Sequence, residues 1–422
     1  MYTRTMQLAP ICALVLACFA APAVAEELQA GTVISKANLD KVRNDTFEGK
    51  TIASLLTDKV EMQIRQHNLQ LTLARSKPII VDPRFGELTR KYADKVKFDP
   101  ATREVSGWVA GLPFPTVSAG DPNAGDKLLW NFYLATQIEG SDVKNLLAQL
   151  YIDGKRGLDK VNEMTYCRYY MKGRLDQKDP TVGDGKILSK TMFQFTAPYD
   201  VRGLSLLAFH YDGPQVDDSW LYVKSMRRVR RLSGNNLLDA IGGSDILQDD
   251  VNLWNARPSW YPRIKLVGKR WILAMAHAKK HVWDKSKKGT PDEFPSQDLK
   301  HAPYWNPVNV WEPREVYVIE ADAPSEHVYG KKVLYMDTDL NANMIWQSEV
   351  YDKKGEFWKH GFFSSVDSTG AVSGVKYRHP SSHNFFDFKA MHGTIAYIYD
   401  WTLDSGMKPE DVSIEKLEAG AK

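Results

Sequence analysis

Few residues in this chain stand at spacings that chemistry would use. His277 and His281 lie four apart in HAKKH, the spacing at which a helix would turn two imidazoles toward one metal ion. Two lysines inside the motif oppose a bound cation, so a solvated loop or strand end is the expected reading. His383, in RHPSSHNFFDF, would neighbour Asp387 on a helix, but no nucleophile accompanies the pair. Asp337 and Asp339 fall in DTDLNAN, a turn in which Asp is favoured for the hydrogen bonds it makes to nearby backbone. Cys167 sits in the strand-like run MTYCRYYMKGRLD without a His/Asn constellation, and reads as a buried free thiol. HExxH, GxSxG, Walker and GxGxxG patterns do not occur. No catalytic residue, metal site or cofactor is expected.

The densest charge is in WLYVKSMRRVRRLS, Trp220 to Ser233. Read as one regular strand, it puts Trp220, Tyr222, Lys224, Met226, Arg228 and Arg230 on one face. Leu221, Val223, Ser225, Arg227, Val229 and Arg231 take the other. Both faces start apolar and end basic, which suits a strand that leaves a hydrophobic layer and emerges at a rim. Trp220, Tyr222, Phe209 and Trp271 are the expected ligand-binding residues. Arg227, Arg228, Arg230 and Arg231 are the expected rim, facing anionic lipid headgroups or a partner protein. The neighbouring GGSDILQDDVN offers Asp245, Asp249 and Asp250 as ion-pair partners for these arginines.

Compartment argues against a nucleic-acid grip. MYTRTMQ carries one Arg and no acid; LAPICALVLACFAAP follows, and AVA ends at Ala25. That is the layout of a secretory signal over residues 1–25, and the apolar run is shorter than the roughly 20 residues a membrane span needs. The periplasm is therefore expected. Leu14-Val15-Leu16-Ala17-Cys18 also fits a lipoprotein-processing box, and cleavage there would leave an outer-membrane lipoprotein anchored through Cys18. Cleavage after Ala25 leaves Cys167 as the sole cysteine, so no internal disulfide forms. A net charge of +3 gives no global signature for polyanions.

The elements that must hold these residues fall in two parts. Residues 26–161 read as mainly helical, with candidates at 46–69, 84–98 and 126–140, and Ile52, Leu55, Leu56, Val60 and Ile64 at helical spacing. Residues 162–422 read as a succession of aromatic and β-branched strands, closed by a short helix in MKPEDVSIEKLEAG. The connections are too short for parallel crossovers, so the sheet should be an antiparallel meander. One compact domain with the preceding region is expected. Twelve Trp, 19 Tyr and 16 Phe fit a wide sheet with aromatic faces or a surface that meets apolar material.

The run APYDVRGLSLLAFHYDGPQVDDSWLYVKSMRRVRRLSGNNLLDAIGGSDILQDDV resembles the signature of domain of unknown function 1329. GLPFP at 111–115, WEPREVYVIEA at 311–321, GKKVLYMDTD and YDKKGEFWK follow in matching order, over roughly residues 105–400. Lys224-Ser225 stands where the family usually shows Pro-Ala, and Ile246-Leu247-Gln248 replaces a more aromatic acidic segment. The resemblance implies an α+β fold similar to the carriers of bacterial outer-membrane lipoprotein sorting. In that fold a large curved antiparallel sheet forms a half-open barrel, with helices packed on its concave side around an apolar cavity. It also implies a non-enzymatic role in carrying lipid or another hydrophobic small molecule, with an RND-type transporter and an outer-membrane protein as partners. The alternative is an assembly or scaffold factor that uses the basic rim as a docking surface.

Overall fold

The computed structural model describes residues 25–134, 138–232 and 236–420. The expected signal peptide, Cys18 included, lies outside them except for Ala25. In the N-terminal part, α1 covers Leu39–Val42, and the stretch expected as one helix over 46–69 divides. Thr46–Phe47 and Lys50–Thr51 pair as a small hairpin. Thr51 then accepts from Ser54 N to start α2 (Ile52–Leu55), and Thr57 accepts from Val60 N to start α3 (Asp58–Gln66). A threonine that takes the N–H three residues on begins a helix, and the extended Leu56 separates the two. Helix α4 (Pro83–Tyr92) opens on Asp82 with proline in its first turn, and α5 spans Ala124–Tyr133.

The sheet begins earlier than the expected residue 162. Strand β1 is Asp142–Asp153, followed by β2 (Gly157–Tyr170), β3 (Ile187–Ala197), β4 (Ser205–Tyr211), β5 (Asp218–Val223) and β6 (Arg228–Leu232). DVKNLLAQLYID (β1) carries buried apolar residues on both faces, because both are covered, so it lacks the alternation that betrays a half-exposed strand. After β7 (Arg263–Ala274) come β8 (Val310–Asp322), β9 (Lys331–Asp337), β10 (Ile345–Tyr351), β11 (Phe357–Thr369), β12 (Lys376–Asp387) and β13 (His392–Leu403).

These strands join in one 15-stranded sheet in the order β8 to β13, then β1 to β6, with β7 also on β8. Two short strands, Val33–Ile34 and Leu71–Leu73, complete it. Leu71–Leu73 runs parallel to the start of β8, and the long strands pair antiparallel throughout. The path does not close on itself, and β6 forms one edge. The sheet is open, not a closed barrel.

Helices cover both faces. On one, α2 and α3 pack with Trp305 and Trp311 over Ala148, Leu150, Phe362, Phe386 and Ile395. Farther along the same face, α6 (Ile414–Gly420) and Val412 cover Cys167, Met192, Leu207 and Tyr222. On the other face, Leu128, Leu129 and Phe132 of α5 join Leu247, Leu253 and Trp254 over Leu334, Ile345, Phe363 and Phe385. Alternation along single strands sorts the layers: Phe362 and Phe386 point one way, Phe363 and Phe385 the other.

Candidate functional site

The segment 237–254 leaves the edge strand β6 and crosses the α5 face of the sheet as a strap. Its backbone is tied to one strand after another. Gln149 Nε2 and Tyr151 Oη on β1 donate to Ile241 O and Gly242 O at 3.2 and 2.8 Å. Thr394 on β13 holds Asp245 through both its backbone N–H and its carboxylate. Lys359 on β11 donates to Asp245 O at 2.8 Å, and Lys332 on β9 to Asp249 O at 3.1 Å. The approach is close: a Cβ built on Gly242, whose φ is +61°, would stand 2.6 Å from Phe195 Cζ. Only glycine combines that backbone with that contact.

The strap's far end is fixed by buried charge. Lys332 Nζ lies 2.7 Å from Asp249 Oδ2 and 2.8 Å from Asp250 Oδ1, with all three side chains fully buried. Tyr261 and Tyr329 donate to Asp249 and Asp250 at 2.6 and 2.7 Å, and His327 Nε2 lies 3.1 Å from Asp249 Oδ2. Burial alone would raise the Asp249 pKa, but Lys332 and His327 outweigh it and hold the carboxyl well below its ordinary range. The same two acids raise the Lys332 pKa against the pull of burial.

Between strap and sheet lie three cavities in a row. The outermost, about 380 Å³, is bounded by Phe193, Phe195, Leu204, Leu206, Leu221, Leu232 and Ile241. The middle one is narrow, about 60 Å³; it shares Phe193 and Ile241 with the outer one and adds Leu147, Met164, Ile246, Val251, Ala396 and Ile398. The third, about 50 Å³, shares Asn252 with the middle one and reaches Trp108, Phe132, Arg168 and Trp254. The outer cavity falls within the roughly 300–1,000 Å³ of common small-ligand sites, which have mostly apolar walls and few polar groups.

A polar partition stands where the second and third cavities meet. Arg168 NH1 is 2.9 Å from Glu139 Oε2, and both side chains are over nine-tenths buried. Tyr166 donates to the same oxygen at 3.1 Å, and Asn252 Nδ2 to Glu139 Oε1 at 3.4 Å. Burial opposes the charge on Arg168, but Glu139 beside it keeps its pKa above the ordinary value. His383 lines the middle cavity and stacks on Phe363 at 4.8 Å. Burial, helped by Arg168, pushes its pKa down to about 3, so the ring is neutral at ordinary pH.

A family model described as a protein of unknown function (DUF1329) matches residues 33–409. The chain belongs to the DUF1329 family. No curated protein matches it. Among solved structures, a domain described as an outer membrane lipoprotein-sorting protein from Vibrio parahaemolyticus is 17% identical, with a TM-score of 0.46. That likeness covers 71% of this chain and 100% of the other. A DUF1329 family protein from Desulfovibrio piger is 16% identical over 69% of this chain and 95% of its own, with a TM-score of 0.46. A LolA superfamily protein from Nitrosomonas europaea is 12% identical over 69% and 98%, with a TM-score of 0.39. The sequence that carries the DUF1329 resemblance, from APYD to QDDV, comprises strands β4 to β6 and most of the strap.

The expected site residues are placed differently from the single-strand reading. WLYVKSMRRVRRLS is a hairpin: a turn at Lys224–Met226 and a left-handed Arg227 (φ +47°) separate β5 from β6. Leu221 pairs with Arg230, and Trp220 with Arg231. Leu221 therefore lines the outer cavity, whereas Trp220, Tyr222 and Phe209 point to the opposite face and pack under α6. Trp271, on β7, lies under Lys50 Nζ at 3.8 Å, apart from the three cavities. The anticipated pairing of Asp245, Asp249 and Asp250 with the arginines is replaced. Those acids hold the strap to Thr394 and Lys332, and Arg231 pairs with Asp218. Arg227, Arg228 and Arg230 are exposed and make no ion pair among the described residues.

Other candidates resolve into structure. His277 pairs with Glu312 at 2.9 Å, and His281 stacks on Tyr397 at 4.4 Å. His383 and Asp387 sit on strand β12, not a helix, and Asp387 accepts from Trp358. Cys167 is buried and its thiol is pushed up to about 11 by burial, which suppresses the reactive thiolate. Sequence reasoning missed Asn145, Asn252, Glu139, Arg168 and Lys332. For Asn145 and Arg168 the available signal was a polar residue inside a strand, because burying one costs energy unless it has a role; Glu139 and Asn252 lie outside the strands and Lys332 follows another lysine, so no such signal marked them.

Proposed function

We propose that this protein is a non-enzymatic binding or carrier protein of the periplasm that holds a hydrophobic ligand between its sheet and its strap. One observation carries the reading: three adjoining cavities run under a single segment, and the middle one is walled by Leu147, Met164, Phe193, Ile246, Val251 and Ile398. Each methylene shielded there contributes about 0.8 kcal/mol, ample for an acyl chain or a polycyclic body. An RND-type exporter and an outer-membrane protein, implied by the family resemblance, are the partners this reading assigns. The exposed Arg228 and Arg230 stand on the edge strand beside the outer cavity, where an anionic surface or partner would meet them. They also favour the second reading, a docking or assembly factor without cargo.

Titration with the fluorescent hydrophobe N-phenyl-1-naphthylamine separates the two. Leu221→Ala removes a cavity wall and should weaken the probe by roughly 1–2 kcal/mol. Trp220→Ala should leave probe affinity unchanged and lower thermal stability through α6. A protein that binds no probe, yet associates with anionic vesicles in a salt-sensitive way through Arg228 and Arg230, would be the docking factor.

A further inference from the structure

The middle cavity is apolar except at a few points, and those points differ in how far their hydrogen-bonding capacity is used. Gln149 is largely committed: its amide nitrogen donates to Ile241 O, and its oxygen lies 2.9 Å from Tyr151 Oη, whose one hydrogen it shares with Gly242 O. Glu139 is committed to Arg168, Tyr166 and Asn252. Three other lining atoms have no partner among the described residues: Asn145 Oδ1, Asn252 Oδ1 and His383 Nε2. All three side chains belong to residues at least nine-tenths buried, at 2%, 8% and 8% exposure. Leaving a buried polar group without a hydrogen bond is costly, so three around one cavity call for an occupant.

The chemistry of that occupant follows from what the atoms can still do. Asn252 spends its amide N–H on Glu139, which fixes the side chain with its carbonyl oxygen as the free group. That oxygen accepts and cannot donate. Asn145 Oδ1 is likewise an acceptor, and a neutral imidazole nitrogen can take either role. Close by stands the Glu139 carboxylate, already paired with the guanidinium that would otherwise greet an anion. A second carboxylate would meet carbonyl oxygens and a fixed negative charge. A hydroxyl would find acceptors. Ala396 faces His383 on the neighbouring strand and Gln149 on the next, and its small side chain leaves room for a head group.

Resting on the carrier reading above, we propose that the middle cavity takes the polar end of an uncharged amphiphile, a hydroxyl that donates its hydrogen to Asn145 Oδ1 or Asn252 Oδ1, with the apolar body passing Phe193 and Ile241 into the outer cavity. A long-chain alcohol, a monoacylglycerol or a ring alcohol has this chemistry; a fatty-acid anion does not.

The test is displacement of N-phenyl-1-naphthylamine from the whole protein by three probes of one chain length. 1-Dodecanol donates and accepts, methyl laurate only accepts, and laurate is ionised at neutral pH. The expected result is half-displacement by dodecanol at about tenfold lower concentration than by methyl laurate or laurate, the equivalent of one well-placed hydrogen bond. In the double variant Asn145→Leu/Asn252→Leu that advantage should fall to within about threefold, with methyl laurate little changed. Should a variant fail to fold, the ranking of the three probes on the unaltered protein still decides. Equal displacement by dodecanol and methyl laurate would mean that the polar atoms serve ordered water alone, and the head-group proposal would be wrong while the carrier reading stood. Tighter binding of laurate would reverse the assigned charge preference. Absence of any naphthylamine binding would remove the carrier reading, and the head-group site with it.

Discussion

Asp249 and Asn252 are three residues apart on the strap, and their surroundings could hardly differ more. Asp249 gathers Lys332, Tyr261 and His327 around a single oxygen, in a fully buried ion-pair cluster. Asn252 spends one amide hydrogen on Glu139 and leaves its carbonyl oxygen open to a cavity. The backbone turns between them: Asn252 and Leu253 adopt φ of +55° and +68°, a left-handed conformation that asparagine tolerates better than most residues. One short segment thus carries both an anchor and an opening. Burial and polarity alone do not distinguish structure from function here, nor does an unpartnered oxygen, since Asp249 Oδ1 lacks a partner too among the described residues; what sets Asn252 apart is that it lines a cavity.

The comparison is most easily broken at the anchor. Lys332→Met would leave Asp249 and Asp250 buried without their cation, and should cost about 3–5 kcal/mol, read as a lower urea midpoint. Adding Asp249→Asn and Asp250→Asn should recover most of that loss. Recovery of nothing would mean that the lysine acts through its aliphatic packing. A smaller effect is expected from acid. Because the folded Asp249 carboxyl titrates below its ordinary value, its contribution is complete above the unfolded pKa of about 3.9. The contribution drains away as pH falls below that value toward the folded one. Between pH 6 and pH 3 the unaltered protein should therefore lose more stability than Asp249→Asn, and equal slopes would show that the ion pair is not coupled to folding. The smallest effect belongs to the opening. Asn145→Leu removes an unpartnered oxygen from an apolar wall, and stability should change by less than about 1 kcal/mol, with either sign acceptable. A loss as large as that of Lys332→Met would reveal a structural hydrogen bond at Asn145 and erase the contrast.

Much of the fold was legible because it repeats a local rule. Aromatic and β-branched runs with short turns from 162 onward do form an antiparallel sheet, and DTDLNAN is the turn between β9 and β10. Strand β1 escaped notice because burial on both faces erases alternation. The site was less legible for a related reason. Counting alternation straight through Lys224 to Arg227 carried the face assignment across a turn, so Trp220 was assigned to the cavity that Leu221 lines. The acids of GGSDILQDDV were seen as partners for cations, which is what Asp249 and Asp250 are. Their cation is Lys332, on a distant strand, and no local pattern marks it. The resemblance to DUF1329 picked out the strap's sequence without revealing that it crosses the sheet.

The order of strands sets an order of events. Strand β13 is made last of all the long strands, yet it sits inside the sheet, hydrogen-bonded to β12 on one side and β1 on the other. Until it emerges, the meander from β1 to β6 and the meander from β8 to β12 have no strand between them, and β1 keeps a bare apolar edge. The final seam, Leu403 against Val143 through His392 against Asp153, closes a loop that takes in nearly the whole sheet. Contacts so distant along the chain slow folding. A nascent copy stays open along its midline until almost all of it has been made, a state prone to pairing with other chains in the meantime.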